Sequence, residues 1–237
     1  MKLSQTFPAS RYRILLFDLD GTLVDSQEGV TRSVQYALDA FGIHRTPEEL
    51  TCFIGPPLCQ QFMAYTGWDE AQGQRAVEKY RERYRTIGIY ENTVYEGLPA
   101  LLARLQQAGR TLAVATSKPE TFAREILRHY QMDGYFDEIT GSELDGRRVA
   151  KADVIEEALH RLGVGPAGRG DVLMIGDRRH DVDGAHACGI PCLGVRFGYA
   201  PPGELEQAGA DFLAATVDEL AGRLLPACDQ RFPTGGF

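Results

Sequence analysis

Arg13-Ile14-Leu15-Leu16-Phe17-Asp18-Leu19-Asp20-Gly21-Thr22-Leu23-Val24-Asp25-Ser26 is the stretch on which the fold turns. A short apolar run of strand type ends in two carboxylates, two positions apart, and then in Gly-Thr. If the strand simply continued, Asp18 and Asp20 would share one face and force two anions together. A hard divalent cation such as Mg²⁺, which takes oxygen ligands and works beside phosphate groups, resolves that conflict. The same letters also fit a strand running into a solvated Asp-Gly turn. The rest of the chain has to decide between the two.

The chain has 237 residues, 43% of them hydrophobic, enough for one large domain or a core domain with a smaller insertion. Such a core needs no metal or disulfide staples. Lys+Arg 25 against Asp+Glu 33 gives a formal charge of -8, which argues against a nucleic acid polymer as partner. A small anionic substrate remains compatible, because a local cationic pocket or a bound metal overrides the global sign. Cys52, Cys59, Cys188, Cys192 and Cys228 are scattered and odd in number, as expected of reduced thiols in the cytosol rather than of a zinc or redox site. No stretch is apolar enough for a signal peptide or a membrane span, so the expectation is a cytoplasmic protein with no membrane partner.

After Ser26 the period changes to helical: Val30, Val34, Leu38 and Phe41 recur on one face and Gly42 supplies a stop. Thr46-Pro47-Glu48-Glu49 predicts a second helix with Thr46 as N-cap and Glu49 in capping-box position, ended by Gly55-Pro56-Pro57. Val77, Tyr80, Tyr84 and Ile87 mark the apolar face of a third, and Trp68, Tyr80 and Tyr84 are expected in its core. Residues 26–90 contain no convincing strand and are expected to form a small helical domain inserted into a core made of residues 1–25 and 91–228, with residues 229–237 as a disordered tail. From Glu96 onward helices alternate with short β-rich runs, of which Thr111–Ala115 and Asp171–Ile175 are the clearest and Phe136–Thr140 the weakest. That alternation predicts an α/β fold: a Rossmann-like parallel sheet with helices on both faces, plus the inserted helical cap.

Ligands of open parallel sheets bind beyond the carboxyl ends of the strands. Read off those ends, the polar residues are Asp18 and Asp20, Thr116 and Ser117, and Asp177 with Asp181, while Lys151 opens a following helix. Together they suit Mg²⁺ and a phosphoryl group. Phosphoryl transfer requires charge neutralisation and in-line positioning, which Mg²⁺ and a lysine supply. A carboxylate such as Asp18 can attack phosphorus and form an aspartyl-phosphate. Asp20 is close enough to protonate the leaving oxygen and then to activate water. Taken singly, Thr116 and Ser117 also read as a helix N-cap and Lys151 as a solvated helix-terminus lysine. Arg178, Arg179 and His180 read as a solvated loop that offsets local acidity.

Asp18-Leu19-Asp20-Gly21-Thr22, Thr116-Ser117-Lys118-Pro119, Lys151 and Gly176-Asp177-Arg178-Arg179-His180-Asp181 resemble the four ordered motifs of the haloacid dehalogenase-like superfamily in its phosphatase form. The resemblance runs from about Tyr12 to Leu225 and is strongest to the phosphoglycolate phosphatase-like and bacterial 5′-nucleotidase-like branch. It implies Asp18 as nucleophile and Asp20 as general acid/base and, through its carbonyl, a metal ligand. Asp18 and Asp177 complete the implied metal ligands, with Asp181 as a further ligand or a carboxylate behind them. Thr116, Ser117 and Lys151 are implied as binders of the substrate's phosphate. Relatives often carry proline after the motif lysine, whereas Ala152-Asp153 follows Lys151 here, which leaves Lys118 as the alternative lysine. Asp20 argues against carbon–halogen cleavage, since the true dehalogenases lack an Asp there. The implied activity is Mg²⁺-dependent hydrolysis of a small phosphorylated metabolite, a nucleoside 5′-monophosphate or phosphoglycolate. Two alternatives use similar residues: a sugar-phosphate phosphomutase and a phosphoacceptor signalling module without turnover.

Overall fold

The structure is a computed structural model and describes residues 11–225, so the expected tail at residues 229–237 and Cys228 lie outside it. Strand β1 (Ile14–Phe17) lies at the centre of a six-stranded parallel sheet. On one side it pairs with β4 (Thr111–Pro119), Ile14 opposite Thr111 and Phe17 opposite Val114; on the other it pairs with β6 (Val172–Gly176), Phe17 opposite Ile175. Beyond β4 lies β5 (Glu138–Ser142), and beyond β6 lie β7 (Cys192–Val195) and β8 (Phe212–Ala214), giving the order β5-β4-β1-β6-β7-β8. The chain thus builds the sheet outward from β1 in one direction, returns, and builds in the other. The point of reversal is where such sheets open a crevice at their carboxyl edge.

Strand alternation divides the apolar side chains between two faces. Leu15, Phe17, Val114 and Ile175 point into one core, under α4 (Leu98–Gln107), α5 (Glu120–His129) and α9 (Val217–Leu224). Leu16, Ala113, Ala115 and Met174 point into the other, under α6 (Lys151–Arg161), α7 (Arg179–Ala187) and α8 (Glu204–Ala208). The sheet is therefore covered on both faces, as the alternating pattern predicted.

Between β1 and α4 the chain makes an excursion. A two-stranded antiparallel ribbon of β2 (Val24–Asp25) and β3 (Thr93–Val94) marks where it leaves and returns. The intervening residues form α1 (Gln27–Asp39), α2 (Leu58–Thr66) and α3 (Glu70–Tyr84) and two short 3₁₀ turns, Pro47–Phe53 and Gly88–Tyr90. The first of these turns stands where a full helix was expected. Only half of the capping box forms: Glu49 Oε2 accepts the Thr46 N–H at 2.8 Å, while the Glu49 N–H goes to the Thr46 carbonyl at 3.1 Å. Gly55-Pro56-Pro57 then prevents propagation. Helix α3 is better capped, with Asp69 and Gln72 exchanging backbone and side-chain hydrogen bonds at 2.8 and 3.2 Å.

Three further elements differ from the sequence expectation. Helix α7 begins at Arg179, inside the stretch expected to be a solvated loop, because the Asp181 carboxylate reaches back to the Arg178 N–H at 3.0 Å and starts the helix. Helix α8 has no strong period in its five residues. Strand β4 runs on to Pro119 through a register shift: Thr116 pairs with Gly141 and Pro119 with the very next residue, Ser142. Ser117 and Lys118 are extra residues in that step and bulge toward the carboxyl edge.

Candidate active site

Strand β1 hands over to the site without a break, the Asp18 N–H continuing the ladder to the Ile175 carbonyl at 2.9 Å. The chain then turns sharply at Gly21, whose φ of +80° is left-handed and whose hypothetical Cβ would lie 2.2 Å from Asp177 Oδ2. Only glycine meets both conditions. From the neighbouring strand, Gly176 is equally confined, since a Cβ there would sit 2.2 Å from Asp181 Cγ. Asp18, Asp177 and Asp181 are all buried, and one oxygen from each lies within 4.8 Å of the others.

Lys151, the first residue of α6, reaches into this group. Its Nζ lies 2.8 Å from Asp18 Oδ1, 2.7 Å from Asp181 Oδ1 and 3.1 Å from the Ala115 carbonyl. Asp20, by contrast, is held by Lys118, whose Nζ donates to both carboxylate oxygens at 2.8 and 2.6 Å. Thr116 is buried at the end of β4, its Oγ1 accepting the Lys118 N–H at 3.3 Å, and the Ser117 carbonyl accepts the Ser142 hydroxyl at 2.7 Å. All seven residues expected from the sequence therefore converge at one carboxyl edge. Lys118 joins them in addition to Lys151 rather than in its place.

Burial dominates the electrostatics. It pushes the Asp18 carboxyl up to about 6, an effect that Lys151 opposes and Asp181 reinforces. Asp177 is raised well above the ordinary carboxylate range by burial and then by Asp181 and Asp18. For Lys151 burial works against the charged form, but Asp18 and Asp181 outweigh it and the ammonium is held more tightly than usual. Three clustered carboxylates against one ammonium leave the group short of positive charge. Asp177 Oδ1 is buried with no hydrogen-bond donor. That deficit and that orphaned oxygen fit a hard divalent cation. Asp181 is the least available of the three, since Lys151 and the Arg178 N–H already take its two oxygens.

Three residues, Tyr199, Arg178 and Arg81, make contacts that have no signal in the sequence. Tyr199 donates its N–H to Asp177 Oδ2 at 2.7 Å and its hydroxyl to Asp25 Oδ1 at 2.6 Å, and that hydroxyl accepts the Ser26 N–H at 2.7 Å. One residue, through its backbone on one side and its side chain on the other, thus ties an acidic group of the site to the ribbon where the helical segment departs. Arg178 is no solvated loop residue: it pairs with Glu204 at 2.8 Å and donates to the Ile54 carbonyl, across to the helical segment, at 2.6 Å. Arg81 makes the reciprocal tie, from α3 to the Leu144 carbonyl at 3.0 Å.

The helical segment and the core enclose a cavity of about 570 Å³. Asp18, Asp20, Thr116, Ser117 and Lys118 line its floor, and Tyr80 and Tyr84, buried as expected, form part of its roof. The volume lies in the range of small-molecule sites. Among the described residues the cysteines are free, and burial raises the thiols of Cys188 and Cys192 above the ordinary thiol range.

The family model for haloacid dehalogenase-like hydrolases matches residues 15–195, a span that contains every acidic and lysine residue of the site. The chain belongs to that family. Among relatives of this haloacid dehalogenase-like hydrolase, a 5′-nucleotidase of Pseudomonas aeruginosa is 51% identical over 198 residues, covering 83% of this chain and 88% of its own. The tyrosine-protein kinase PtkA of Mycobacterium tuberculosis is 39% identical over 216 residues, covering 90% and 72%. Among solved structures, a predicted phosphatase from Clostridium acetobutylicum superposes with a TM-score of 0.87 at 44% identity, covering 90% of this chain and 98% of that one. Within the family the chain is a phosphatase. Among its described residues no helix is long and apolar enough to cross a membrane.

Proposed function

We propose that this phosphatase hydrolyses small phosphomonoesters in the cytoplasm in a Mg²⁺-dependent reaction through an aspartyl-phosphate on Asp18. Its substrate is a nucleoside 5′-monophosphate or phosphoglycolate. The observation that carries the reading is the unequal partnering of the two motif aspartates: Asp18 sits with Lys151 in the acidic group, while Asp20 stands apart on Lys118, and both open onto one cavity. An Asp18 oxygen attacks phosphorus as the bond to the leaving oxygen breaks, and Asp20 gives that oxygen a proton. Asp20 then takes a proton from water as the water attacks the aspartyl-phosphate, which releases inorganic phosphate and restores Asp18. Thr116, Ser117 and Lys151 hold the phosphoryl oxygens in line. Asp18, Asp177 and the Asp20 carbonyl, with Asp181 behind or beside them, are the groups that would hold Mg²⁺, which when bound neutralises the charge that keeps an anionic nucleophile from a phosphoryl group.

A panel of nucleoside monophosphates, phosphoglycolate and sugar phosphates, assayed for free phosphate with Mg²⁺ and with EDTA, tests this reading. Asp18→Asn is expected to abolish turnover, and near-wild-type activity in that variant would refute the nucleophile. An isomerised sugar phosphate in place of free phosphate would mark a phosphomutase, and a long-lived phosphoprotein without turnover would mark a phosphoacceptor module.

The identity to PtkA favours a second reading, transfer of a phosphoryl group from a nucleotide to a tyrosine hydroxyl. Labelled ATP separates the two, since hydrolysis places the label in inorganic phosphate and the kinase places it on tyrosine.

A further inference from the structure

Lys118 has no part in the proposed reaction, yet it is among the most constrained side chains of the site. It is buried, and its Nζ bonds both oxygens of Asp20, at 2.8 and 2.6 Å. On its other side the ammonium stands 5.0 Å from the centre of the Tyr84 ring, a cation–π distance, and Tyr84 belongs to helix α3 of the inserted segment. The bulge that places it there adds two residues to β4 opposite a single step of β5. Lys151 spreads its donors over Asp18, Asp181 and the Ala115 carbonyl, whereas Lys118 turns its ammonium to the two oxygens of one carboxylate.

We propose that Lys118 is a positioning residue for Asp20, holding that carboxylate where it exchanges a proton with the leaving oxygen. This rests on the phosphatase reading above and adds to it a division of labour between two lysines. Lys151 serves the group that receives phosphorus, and Lys118 serves the group that handles protons. With Nζ within hydrogen-bond distance of both oxygens, the Asp20 carboxylate is held in one orientation, where a contact to one oxygen would leave it freer to rotate. The Tyr84 face closes the remaining side of the ammonium, so the pair is completed only when α3 lies over the core.

The consequence is selective for the leaving group. An alkoxide leaving group depends on protonation, whereas p-nitrophenolate departs without it. Lys118→Met in the full chain is therefore expected to lower kcat for an alkyl phosphomonoester about 100-fold or more. In the same variant, single-turnover release of p-nitrophenol from p-nitrophenyl phosphate should fall less than about fivefold, and inhibition by inorganic phosphate should stay the same within about twofold. Lys118→Arg, which keeps the charge and a two-point contact, should restore part of the loss. Asp20→Asn covers the case in which Lys118→Met alone folds poorly, because the double variant has no unpaired buried carboxylate. If Lys118 acts only through Asp20, adding Lys118→Met to Asp20→Asn costs less than about threefold further.

Equal loss for both leaving groups with weakened phosphate inhibition would make Lys118 a phosphate ligand and overturn the proposal. Additive losses in the double variant, or no selective loss in the single one, would also overturn it. A wild-type chain that hydrolyses phosphomonoesters and loses all turnover in Asp18→Asn keeps the phosphatase reading intact under those outcomes. A wild-type chain that hydrolyses neither ester overturns both.

Discussion

Asp177→Asn should make the metal-free protein more stable while removing its response to Mg²⁺. An oxygen of Asp177 lies within 4.8 Å of oxygens from both Asp18 and Asp181, and at an effective dielectric constant of about 20 each such pair of unit charges repels by about 3.5 kcal/mol. Lys151 pairs with Asp18 and Asp181 and leaves Asp177 opposed by both. Proton uptake caps the cost, because burial and these neighbours already hold the Asp177 pKa high. The relief at about pH 8 is therefore a fraction of that repulsion, and each ~1 kcal/mol of it raises Tm by about 2–4 °C for a chain of this size.

The pH dependence has a definite sign. Both Asp18 and Asp177 titrate above their unfolded values, so the stability each contributes is fully present below the unfolded pKa and lost as pH rises through the folded one. For Asp18, raised from 3.8 to about 6, that loss is about 3 kcal/mol across the window. The Asn variant should accordingly gain most at about pH 8 and least at about pH 5. Thermal unfolding of both proteins in EDTA and in millimolar Mg²⁺, at the two pH values, measures all of this. A variant that melts below wild type in EDTA at the higher pH, or that gains as much from Mg²⁺ as wild type does, would refute the reasoning.

Gly21→Ala combines a left-handed φ with a Cβ 2.2 Å from Asp177 Oδ2, so urea unfolding should show a loss of about 2–4 kcal/mol; an unchanged midpoint would contradict the turn's role. Tyr199→Phe removes the hydroxyl shared by Asp25 and the Ser26 N–H and should cost about 1–3 kcal/mol. Because its backbone N–H still serves Asp177, the Tm shift with Mg²⁺ should survive in that variant, and losing it would show that the hydroxyl also supports the acidic group. Arg178→Met cuts the tie to the Ile54 carbonyl and should speed amide exchange around residues 54–57 and raise KM about threefold or more, with a smaller change in kcat; unchanged exchange would show that this tie does not hold the segment.

The sheet was legible because its strands carry their own signal. Four apolar residues of β1 end in Asp18, and five of β6 end beside Asp177, so period, length and terminus agreed at each strand. The 3₁₀ turn at Pro47–Phe53 was read as a helix because Thr46, Pro47 and Glu49 start both equally well, and only the prolines beyond decide how far it propagates. The extension of β4 to Pro119 was not legible, since a bulge depends on the register of the partner strand, here Gly141 and Ser142. Arg178 looked like a loop residue because its partners, Glu204 and the Ile54 carbonyl, are 26 and 124 positions away.

The sequence by itself determined which groups meet at the carboxyl edge. Asp18, Asp20, Thr116, Lys151, Asp177 and Asp181 each stand at the end of a strand or the start of the next helix, and a parallel sheet brings all such positions to one side. Only the tertiary structure decided how those groups pair. Whether Lys151 or Lys118 faces Asp18, which Asp177 oxygen remains without a donor, and that Tyr199 joins the site to the departing ribbon all depend on distances of a few ångströms between residues far apart in the chain. Strand period fixes the end of the sheet at which a side chain emerges. Its charge partner is set by packing, and that partner separates the carboxylate proposed to attack phosphorus from the one proposed to move the proton.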